Sequence, residues 1–408
     1  MRSRRRARLL LHATQAHVID PEIFDAPTLA GLRERRSSKW TRYPPDVLPA
    51  FVAELDVPLA EPIARALHAA IACGDTGYAN PLELATAFAA FARARYDWTV
   101  DPARGFAVAD VMVGVVECLR VLLDPCAGVV INTPVYPPFF ASLDEARMRR
   151  IEVPLARDPA GRYDLDLDAL EAAFAAGARA YLLCNPHNPV GRAFARETLA
   201  RVAELAARYD VAVLSDEIHA PLALGDATAV PFLVAAEGSG ARAIAIVSAS
   251  KAWNLAGLKC ALVVAGDARV ASDLARMPAE VRYRVGHLGA IAAGAAFRDA
   301  VPWLDALRAH LQRNRTLLGE SLARDLPEVG YVAPDATYLA WIDCRSLGLG
   351  DRPAATFLRE GRVALSPGTD FGALGAGYVR LNFGTTRAIL EEIVARMRHT
   401  VQRVGAPS

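Results

Sequence analysis

Four short segments of the sequence carry side chains that could act together on one ligand. The segment VSASKAWNLAGLKCA, residues 247–261, places Lys251 directly after an apolar run, where a charged side chain is expected only if its amine has a task. Three other segments place a candidate ligand-binding residue next to an apolar run: SDEIH with Asp216, NPHNPVG with Asn188, and VGVVECL with Gly114. An amine, a carboxylate, an amide and a glycine that opens a helix together indicate a cofactor with an aldehyde and a phosphate.

The elements that must position these residues show an α/β pattern between about residues 107 and 265. The apolar runs GVVIN, AYLLC, VAVLS, AIAIVS and CALVVAG have the length of buried strands, and RETLARVAELAARY has the period of an amphipathic helix. This alternation predicts a mainly parallel sheet sandwiched by helices. Because ligands of such sheets bind beyond the carboxyl ends of the strands, we expect the polar segments to meet there.

The remainder of the chain has a different pattern. Long helical patterns near residues 302–325 and 385–403 surround short strands such as TYLAWID and YVRLNF, as in an α+β domain. The residues before about 70 lack the parallel-sheet pattern and are assigned to that domain. The predicted organisation is a flexible basic arm over residues 1–20, a large cofactor-binding α/β domain over residues 71–294, and a smaller α+β domain formed by residues 21–70 and 295–408.

Composition excludes several classes of protein. A hydrophobic fraction of 53% excludes a disordered chain, and 46 basic against 45 acidic side chains give no electrostatic reason to expect nucleic acid or an acidic membrane as a partner. The six cysteines form no CxxC pair, which indicates a reduced, cytoplasmic setting. No apolar run reaches the roughly 18 residues of a membrane span, and no metal site is predicted. The start, MRSRRRARLLLHA, is interpreted as the basic arm or an over-long start, with organelle targeting as the alternative.

Seven motifs in a fixed order give a more specific assignment. They are KWTRYPPDVLPAFVAELDVP, TGY, TPVYPPF, SDEIHAPL, SKAWNLAGLK, TYLAWID and the segment from ALSPGTDFG to GYVRLNFG. In this series the chain resembles the fold-type I pyridoxal-phosphate enzymes of the aminotransferase class I/II superfamily. Within them it resembles the cystathionine β-lyases and cysteine S-conjugate β-lyases, from about Pro21 to Val401. The resemblance implies pyridoxal 5′-phosphate (PLP) as cofactor and a homodimer with shared active sites.

The resemblance also implies roles for the polar residues of these motifs. Lys251 would form the Schiff base with the cofactor and then act as the base at the substrate α-carbon. Asp216 would pair with the protonated pyridine nitrogen, with helix capping as its alternative role. Asn188 would donate its amide to the phenolic oxygen, and His219 either supports the same oxygen or is a structural histidine. Arg380 would bind the substrate carboxylate as a bidentate fork.

The implied phosphate site is made of backbone amides and hydroxyl groups. Gly114 would permit close approach, and the amides of Val115 and Val116 would open a helix toward the phosphate. Ser248 and Ser250 would add hydroxyl groups, although serines at strand ends also act as caps.

Several further side chains have both a site role and a structural alternative. Tyr136 would stack on the pyridine ring unless it is a core residue. Lys259 stands where many transaminases have a phosphate-binding arginine. Tyr78 would reach the phosphate of the neighbouring subunit, with a turn tyrosine as the alternative. The aromatic residues that line the substrate pocket, or else belong to the core, are Trp40, Tyr338 and Trp341.

Two departures from the family pattern border the substrate and leave its identity open: VAELDV replaces the usual VADMDF, and Ala336 replaces a glycine. The predicted function is a PLP-dependent carbon-sulfur β-lyase that cleaves cystathionine or another cysteine S-conjugate to a thiol, pyruvate and ammonia. A PLP-dependent aminotransferase is the main alternative, because the same residues serve both reactions. A non-enzymatic regulator ranks lower because Lys251 and Asp216 are present, and a dinucleotide-binding oxidoreductase lacks its GxGxxG motif.

Overall fold

The computed structural model of the chain describes residues 19–405. Its strands are β1 (Leu48–Pro49), β2 (Gly105–Val108), β3 (Gly128–Ile131), β4 (Arg149–Glu152), β5 (Ala156–Arg157), β6 (Tyr163–Asp164), β7 (Ala180–Cys184), β8 (Ala212–Asp216), β9 (Ala243–Val247), β10 (Ala261–Ala265), β11 (Gly330–Tyr331), β12 (Leu339–Asp343), β13 (Val363–Ala364), β14 (Ser366–Pro367) and β15 (Tyr378–Asn382). Its α-helices are α1 (Leu29–Arg33), α2 (Ser38–Thr41), α3 (Glu61–Ala72), α4 (Pro81–Tyr96), α5 (Val111–Leu122), α6 (Pro138–Glu145), α7 (Leu167–Ala175), α8 (Arg196–Arg208), α9 (Phe232–Ala235), α10 (Ala268–Leu274), α11 (Ala279–Tyr283), α12 (His287–Asp299), α13 (Val301–Asp325), α14 (Pro353–Gly361) and α15 (Arg387–Gly405).

The central sheet has the strand order β2-β10-β9-β8-β7-β3-β4. Strands β4, β3, β7, β8 and β9 are mutually parallel, while β10 is antiparallel to both of its neighbours. The prediction of a mainly parallel sheet is confirmed, and each of the five apolar runs forms one of its strands. The last run, CALVVAG, is the antiparallel strand β10.

Helices cover both faces of this sheet, which explains why its inner strands are apolar without alternation, whereas the edge strand β4 is mostly exposed and carries charged residues. Every residue of β7, β8, β9 and β10 is buried. On one face Val115 and Leu119 of α5 pack with Ile246 of β9, and on the other face Leu199 of α8 packs with Tyr181 of β7. A strand that is buried on both faces has no position for a polar side chain until it ends. Apart from Ser215 of β8, whose hydroxyl group bonds to Glu217, the hydrophilic side chains therefore lie at the strand ends.

A second, antiparallel sheet has the order β11-β12-β15-β14 and packs with the long C-terminal helices. The helical patterns expected near residues 302–325 and 385–403 are α13 and α15, which pack against each other. The domain limits stay predictions, and the limits near residues 70 and 295 fall inside α3 and α12. The predicted basic arm lies outside the described residues up to residue 18.

None of the helices within residues 19–405 combines the length and the apolar character that crossing a bilayer requires. Within the same range, no three or more histidine, cysteine, aspartate or glutamate side chains are grouped so as to hold a metal ion.

Candidate active site

Lys251, Asp216 and Asn188 lie around one cavity at the carboxyl edge of the central sheet. Asp216 is the last residue of β8, whereas Asn188 and Lys251 lie in the loops that follow β7 and β9. The cavity has a volume of about 210 Å³, and its wall also includes Tyr136 and His219. Because parallel strands end at the same edge, residues that are distant in sequence meet there.

Lysine is rare in this chain, which narrows the choice of a reactive amine. The sequence has three lysines: Lys39, Lys251 and Lys259. Lys39 is 1% exposed and forms an ion pair with Asp56 at 2.7 Å, so its amine is fixed in the core. Lys251 and Lys259 both line the cavity. Since Lys259 forms an ion pair with Asp110, Lys251 is the amine best suited to covalent chemistry.

The Lys251 amine is held by the backbone and made less basic by its surroundings. Its Nζ donates a hydrogen bond to the carbonyl oxygen of Ala53 at 2.9 Å. Burial lowers the pKa of Lys251 to about 8, and the positive charge of Arg380 adds to this effect while the Asp216 carboxylate opposes it. An appreciable fraction of the amine is therefore neutral near pH 7, and only the neutral amine is a nucleophile.

Asp216 is a buried carboxyl group, 4% exposed, beside that amine. Its Oδ1 accepts a hydrogen bond from the amide of Ile218 at 3.1 Å. Burial raises the pKa of Asp216 to about 7, although the Ile218 amide and the charge of Lys251 both act to lower it. The short 3₁₀ helix that follows, Ala220–Leu222, has His219 at its N-cap position, so Asp216 does not cap it. A cationic ligand would stabilise the ionised carboxylate here.

Arg380 of β15 reaches the turn that carries Asn188. Its Nη1 donates to Asn188 Oδ1 at 3.1 Å, and its Nη2 donates to the carbonyl of Phe51 at 2.8 Å and to Ser366 Oγ at 3.2 Å. Arg380 is 5% exposed, and burial lowers its pKa to about 10, so it stays cationic near neutral pH. Because Asn188 Oδ1 is engaged with Arg380, its Nδ2 group remains the donor for a ligand.

His219, Tyr136 and Tyr338 differ in how they relate to the cavity. Burial lowers the pKa of His219 to about 3, with further lowering by the charges of Lys251 and Arg380, so the imidazole is neutral. Tyr136 lines the cavity, and burial raises its pKa. Tyr338 is fully buried and donates to the carbonyl of Ala53 at 3.0 Å, which corresponds to the core role given as its alternative.

The start of α5 differs from the sequence prediction. The helix begins at Val111, and its N-cap is Asp110, whose side chain accepts from the third helical amide. The amide of Gly114 donates to the carbonyl of Asp110 at 3.0 Å, so the helical ladder has already begun there. The prediction that the amides of Val115 and Val116 open the helix is wrong, because both lie inside it and bond within it.

The first two helical amides are instead those of Val111 and Met112, and both residues line the cavity, although the Met112 amide also contacts the Asp110 carboxylate. The first amides of a helix lack an intrahelical acceptor and favour a negative ligand. Gly114 serves packing of α5 on the sheet, since a Cβ there would lie 3.1 Å from the Val263 side chain and 3.2 Å from the Val108 side chain.

The two serines and Lys259 occupy different positions around the cavity. Ser250 and Lys259 line it. Ser248 Oγ donates to the carbonyl of Cys260 at 2.7 Å and accepts from the amide of Ser250 at 3.1 Å, which is the capping role given as its alternative. Lys259 Nζ contacts Asp110 Oδ2 at 2.9 Å, so the cavity wall carries an ion pair next to the start of α5.

Four of the predicted aromatic residues, Tyr338 and the three that follow, lie outside the wall of this cavity. Tyr78 is 80% exposed, and its role in a neighbouring subunit stays a prediction. Trp40 is partly buried and donates from Nε1 to Asp56 Oδ1 at 3.0 Å. Trp341 is 6% exposed and stacks on Tyr378 with ring centres 5.0 Å apart. The contacts of both tryptophans are those of structural residues.

Sequence reasoning missed two contributions to the site. The first is the main chain of the VAELDV region, where the carbonyls of Ala53 and Phe51 accept from Lys251 and Arg380. Carbonyl groups belong to every residue, so no sequence pattern marks them. The second is Asp110, which did have a signal, because an aspartate between a strand and an apolar helical run is an N-cap pattern.

Together these groups can hold a ligand that has an anionic group and a reactive carbonyl. They can also transfer a proton to or from a carbon atom that lies next to this ligand. The family model for aminotransferase class I and II matches residues 61–397, a range that contains Lys251, Asp216, Asn188 and Arg380. The chain belongs to this family. The fold class and the family expected from the sequence are thus confirmed.

Relatives that resemble this aminotransferase-family chain align with nearly its whole length. A Mycobacterium tuberculosis protein that is provisionally named a cystathionine β-lyase is 47% identical over 93% of this chain and 98% of its own. A cystathionine β-lyase of Corynebacterium glutamicum is 34% identical over 91% of this chain and 98% of its own. A Corynebacterium diphtheriae crystal structure, provisionally described as a PLP-dependent β-cystathionase, has a TM-score of 0.87 at 35% identity and covers 92% of this chain and 98% of its own.

Proposed function

We propose that this chain is a PLP-dependent carbon-sulfur β-lyase that cleaves cystathionine or another cysteine S-conjugate to a thiol, pyruvate and ammonia. The observation that carries the proposal is the convergence of Lys251, Asp216 and Asn188, the last held by Arg380, on one cavity. The M. tuberculosis relative, 47% identical, and the C. glutamicum relative, 34% identical, are both named for this reaction.

The residues around the cavity fit PLP. Lys251 offers an amine of lowered pKa to the aldehyde, Asp216 offers a carboxylate to the ring nitrogen, and the first turn of α5 offers amides to the phosphate. Among the buried polar atoms that have no partner within residues 19–405 are two that belong to predicted site residues, His219 Nδ1 and Arg380 Nε. His219 lines the cavity, so a bound ligand would offer its Nδ1 the hydrogen-bond partner that the protein does not supply.

When bound, PLP withdraws electrons from the α-carbon of an amino acid and so makes the α-hydrogen acidic. Asp216 keeps the ring nitrogen protonated, since a pair of unit charges at about 4 Å is worth about 4 kcal/mol at an effective dielectric constant near 20. Asn188, whose Oδ1 is held by Arg380, would donate from its Nδ2 group to the phenolic oxygen of the cofactor. The neutral imidazole of His219 adds no competing charge.

The substrate is positioned by Arg380, whose guanidinium binds the α-carboxylate and turns the α-hydrogen toward Lys251. Lys251 is released from its linkage when the substrate amine takes its place, and its neutral amine would then take this proton as a general base. The bond between the β-carbon and sulfur then breaks, and the sulfur leaves with the bonding electron pair as a thiolate. The Lys251 ammonium returns a proton to that thiolate, and water converts the remaining three-carbon unit to pyruvate and ammonia.

Transamination is the second candidate, because the family to which the chain belongs is named for it. A substrate without a leaving group on the β-carbon has no route to elimination, and the same residues then serve amino transfer to a keto acid. Assays of pyruvate and thiol release over a panel of cysteine thioethers, with and without 2-oxoglutarate, separate the two. We expect both products without a keto acid, and none from Lys251→Ala. Product formation that requires 2-oxoglutarate would replace the lyase by an aminotransferase.

We also propose a cytoplasmic homodimer with shared active sites. Tyr78 and Tyr283 are 80% and 61% exposed and contact each other, and Ile71 and Leu82 are exposed apolar residues close in sequence to Tyr78. An exposed apolar group of this kind favours a subunit contact. Sedimentation analysis of the purified protein tests the dimer.

The cysteines support the cytoplasmic part of this proposal. All six are free thiols, as a reducing compartment maintains them.

A further inference from the structure

We propose that Asp110 weakens the binding of the cofactor phosphate, and that its ion pair with Lys259 sets how tightly the site holds this anion. The inference rests on the proposed PLP site. Asp110 is the N-cap of α5 and lines the cavity beside Val111 and Met112. A carboxylate there places a negative charge where the helix end otherwise favours an anion.

The Asp110 carboxylate uses both of its oxygens. Oδ1 accepts from the amide of Val113 at 2.9 Å, and Oδ2 accepts from Lys259 Nζ at 2.9 Å. Burial acts to raise the pKa of Asp110, but the Val113 amide and Lys259 outweigh it and hold the pKa below its ordinary value. The group is therefore an ionised carboxylate at neutral pH, and it repels a phosphate.

The ion pair also occupies the Lys259 ammonium, which is a cation beside the start of α5 that could bind a phosphate. The side chains of Lys259 and Asp110 are 61% and 36% exposed, so an incoming ligand can reach both. The lysine ammonium binds phosphate as a point charge on a flexible stem. A bound phosphate must share this ammonium with the carboxylate, which reduces what Lys259 contributes to binding. In the same cavity, His219 is 3% exposed and its Nδ1 has no hydrogen-bond partner within residues 19–405, so this buried atom is open to a ligand.

The negative charge at residue 110 is not required by the helix. Asparagine and serine cap helix N-termini about as well as aspartate, so either can replace Asp110 without loss of the cap. Helix α10 supplies a matched control, because its N-cap Asp267 accepts from the amide of Val270 at 2.7 Å and does not line this cavity. Asp267→Asn therefore removes an equivalent capping charge away from the cavity.

Calorimetric titration of the cofactor-stripped protein with PLP and with pyridoxal, which lacks the phosphate, tests the inference. We expect Asp110→Asn and Asp110→Ser each to tighten PLP binding by about tenfold, the effect of removing one like charge from a partly screened site. Pyridoxal binding should not change. Lys259→Gln should weaken PLP binding. The loss should be larger in the Asp110→Asn protein than in the wild type, because Lys259 of the Asp110→Asn protein no longer pairs with a carboxylate and contributes more to phosphate binding. Asp267→Asn should leave all values unchanged.

The inference is overturned if both Asp110 variants leave PLP affinity unchanged or weaken it, or if they change PLP and pyridoxal affinity equally. If Lys259→Gln weakens PLP binding by the same factor in the wild type and in Asp110→Asn, the ion pair does not limit the contribution of Lys259, and that part of the inference is overturned as well. These outcomes are distinct from failure of the proposed function, in which the wild-type protein binds PLP at no concentration tested.

Discussion

The amine of Lys251 and the hydroxyl group of Tyr338 donate hydrogen bonds to the same acceptor, the carbonyl oxygen of Ala53, at 2.9 Å and 3.0 Å. A carbonyl oxygen orients an ammonium group but does not neutralise its charge. The contact therefore fixes the position of Lys251 while burial keeps its pKa at about 8. An amine that is positioned and easily deprotonated is what both the cofactor linkage and the proton transfer require.

Replacement of Lys251 should abolish turnover and the visible absorbance of the lysine-bound cofactor together. Lys251→Arg keeps the positive charge but offers no amine for the linkage, so it should fail as completely as Lys251→Ala. Absorption spectra and product assays on the same samples provide the measurement. Absorbance that survives in both variants would assign the linkage to Lys259, since Lys39 is buried in an ion pair.

The rate of cofactor attachment should rise with pH and level off near pH 8. Only the neutral amine attacks the aldehyde, and its fraction grows about tenfold per pH unit below the pKa. Stopped-flow absorbance of the cofactor-stripped protein mixed with PLP at a series of pH values measures this profile. A rate that continues to rise toward the ordinary lysine pKa of 10.5 would show that burial does not lower the pKa of Lys251.

Asp216→Asn should destroy activity and yet stabilise the cofactor-stripped protein at pH 8. A buried carboxyl whose pKa rises from 3.8 to about 7 favours the folded state less as pH rises through that range. Above pH 7 the raised pKa corresponds to a loss of about 4 kcal/mol in the free energy of unfolding. We expect roughly half of this loss to be recovered as increased stability in the variant. Urea unfolding at pH 8 and at pH 4 measures the gain.

The gain from Asp216→Asn should be mostly lost at pH 4, because the folded carboxyl is then protonated and the unfolded one, with its ordinary pKa of 3.8, is close to half protonated. The exposed Asp226 serves as control, and Asp226→Asn should leave stability unchanged at both pH values. Equal stability of the wild type and Asp216→Asn at pH 8 would contradict the raised pKa.

Arg380→Lys should reduce kcat/KM for amino-acid substrates by about a hundredfold, mainly through a higher KM. Lysine keeps the charge but loses the planar fork and the contacts to Asn188 and Phe51, each charged hydrogen bond being worth about 1.5–3 kcal/mol. Steady-state kinetics with the cofactor absorbance recorded in parallel tests this. Arg345→Lys, at an exposed arginine that pairs with Asp343, is the control. An unchanged KM would rule out Arg380 as the carboxylate ligand.

Mixed dimers should reveal whether Tyr78 acts in the neighbouring subunit. A hybrid of one Tyr78→Phe subunit and one Lys251→Ala subunit contains one site with an intact Lys251 and an intact Tyr78, provided that Tyr78 crosses the subunit contact. We expect such hybrids to recover activity above either parent variant, up to half of the wild type. Hybrids that are no more active than the Tyr78→Phe parent would place Tyr78 outside the shared site.

The sequence by itself determined the central sheet, the family, and the position of Lys251, Asp216 and Asn188 at strand ends. These features are local. A strand buried on both faces is a nearly uninterrupted apolar run, and the polar segment after it lies at the edge of the sheet where ligands bind. The error over Val115 and Val116 is also local, because the glycine in the segment was given more weight than the capping aspartate that precedes it.

Only the tertiary structure decided how the charged groups are held. Arg380 meets Asn188 across 192 residues of sequence, Lys251 meets the Ala53 carbonyl across 198, and Arg380 meets the Phe51 carbonyl across 329. Carbonyl acceptors carry no side-chain identity, so their partners cannot be recognised in a sequence. The lowered pKa of Lys251 and the raised pKa of Asp216 have the same origin, since burial depends on which distant segments close over a residue once the chain has folded.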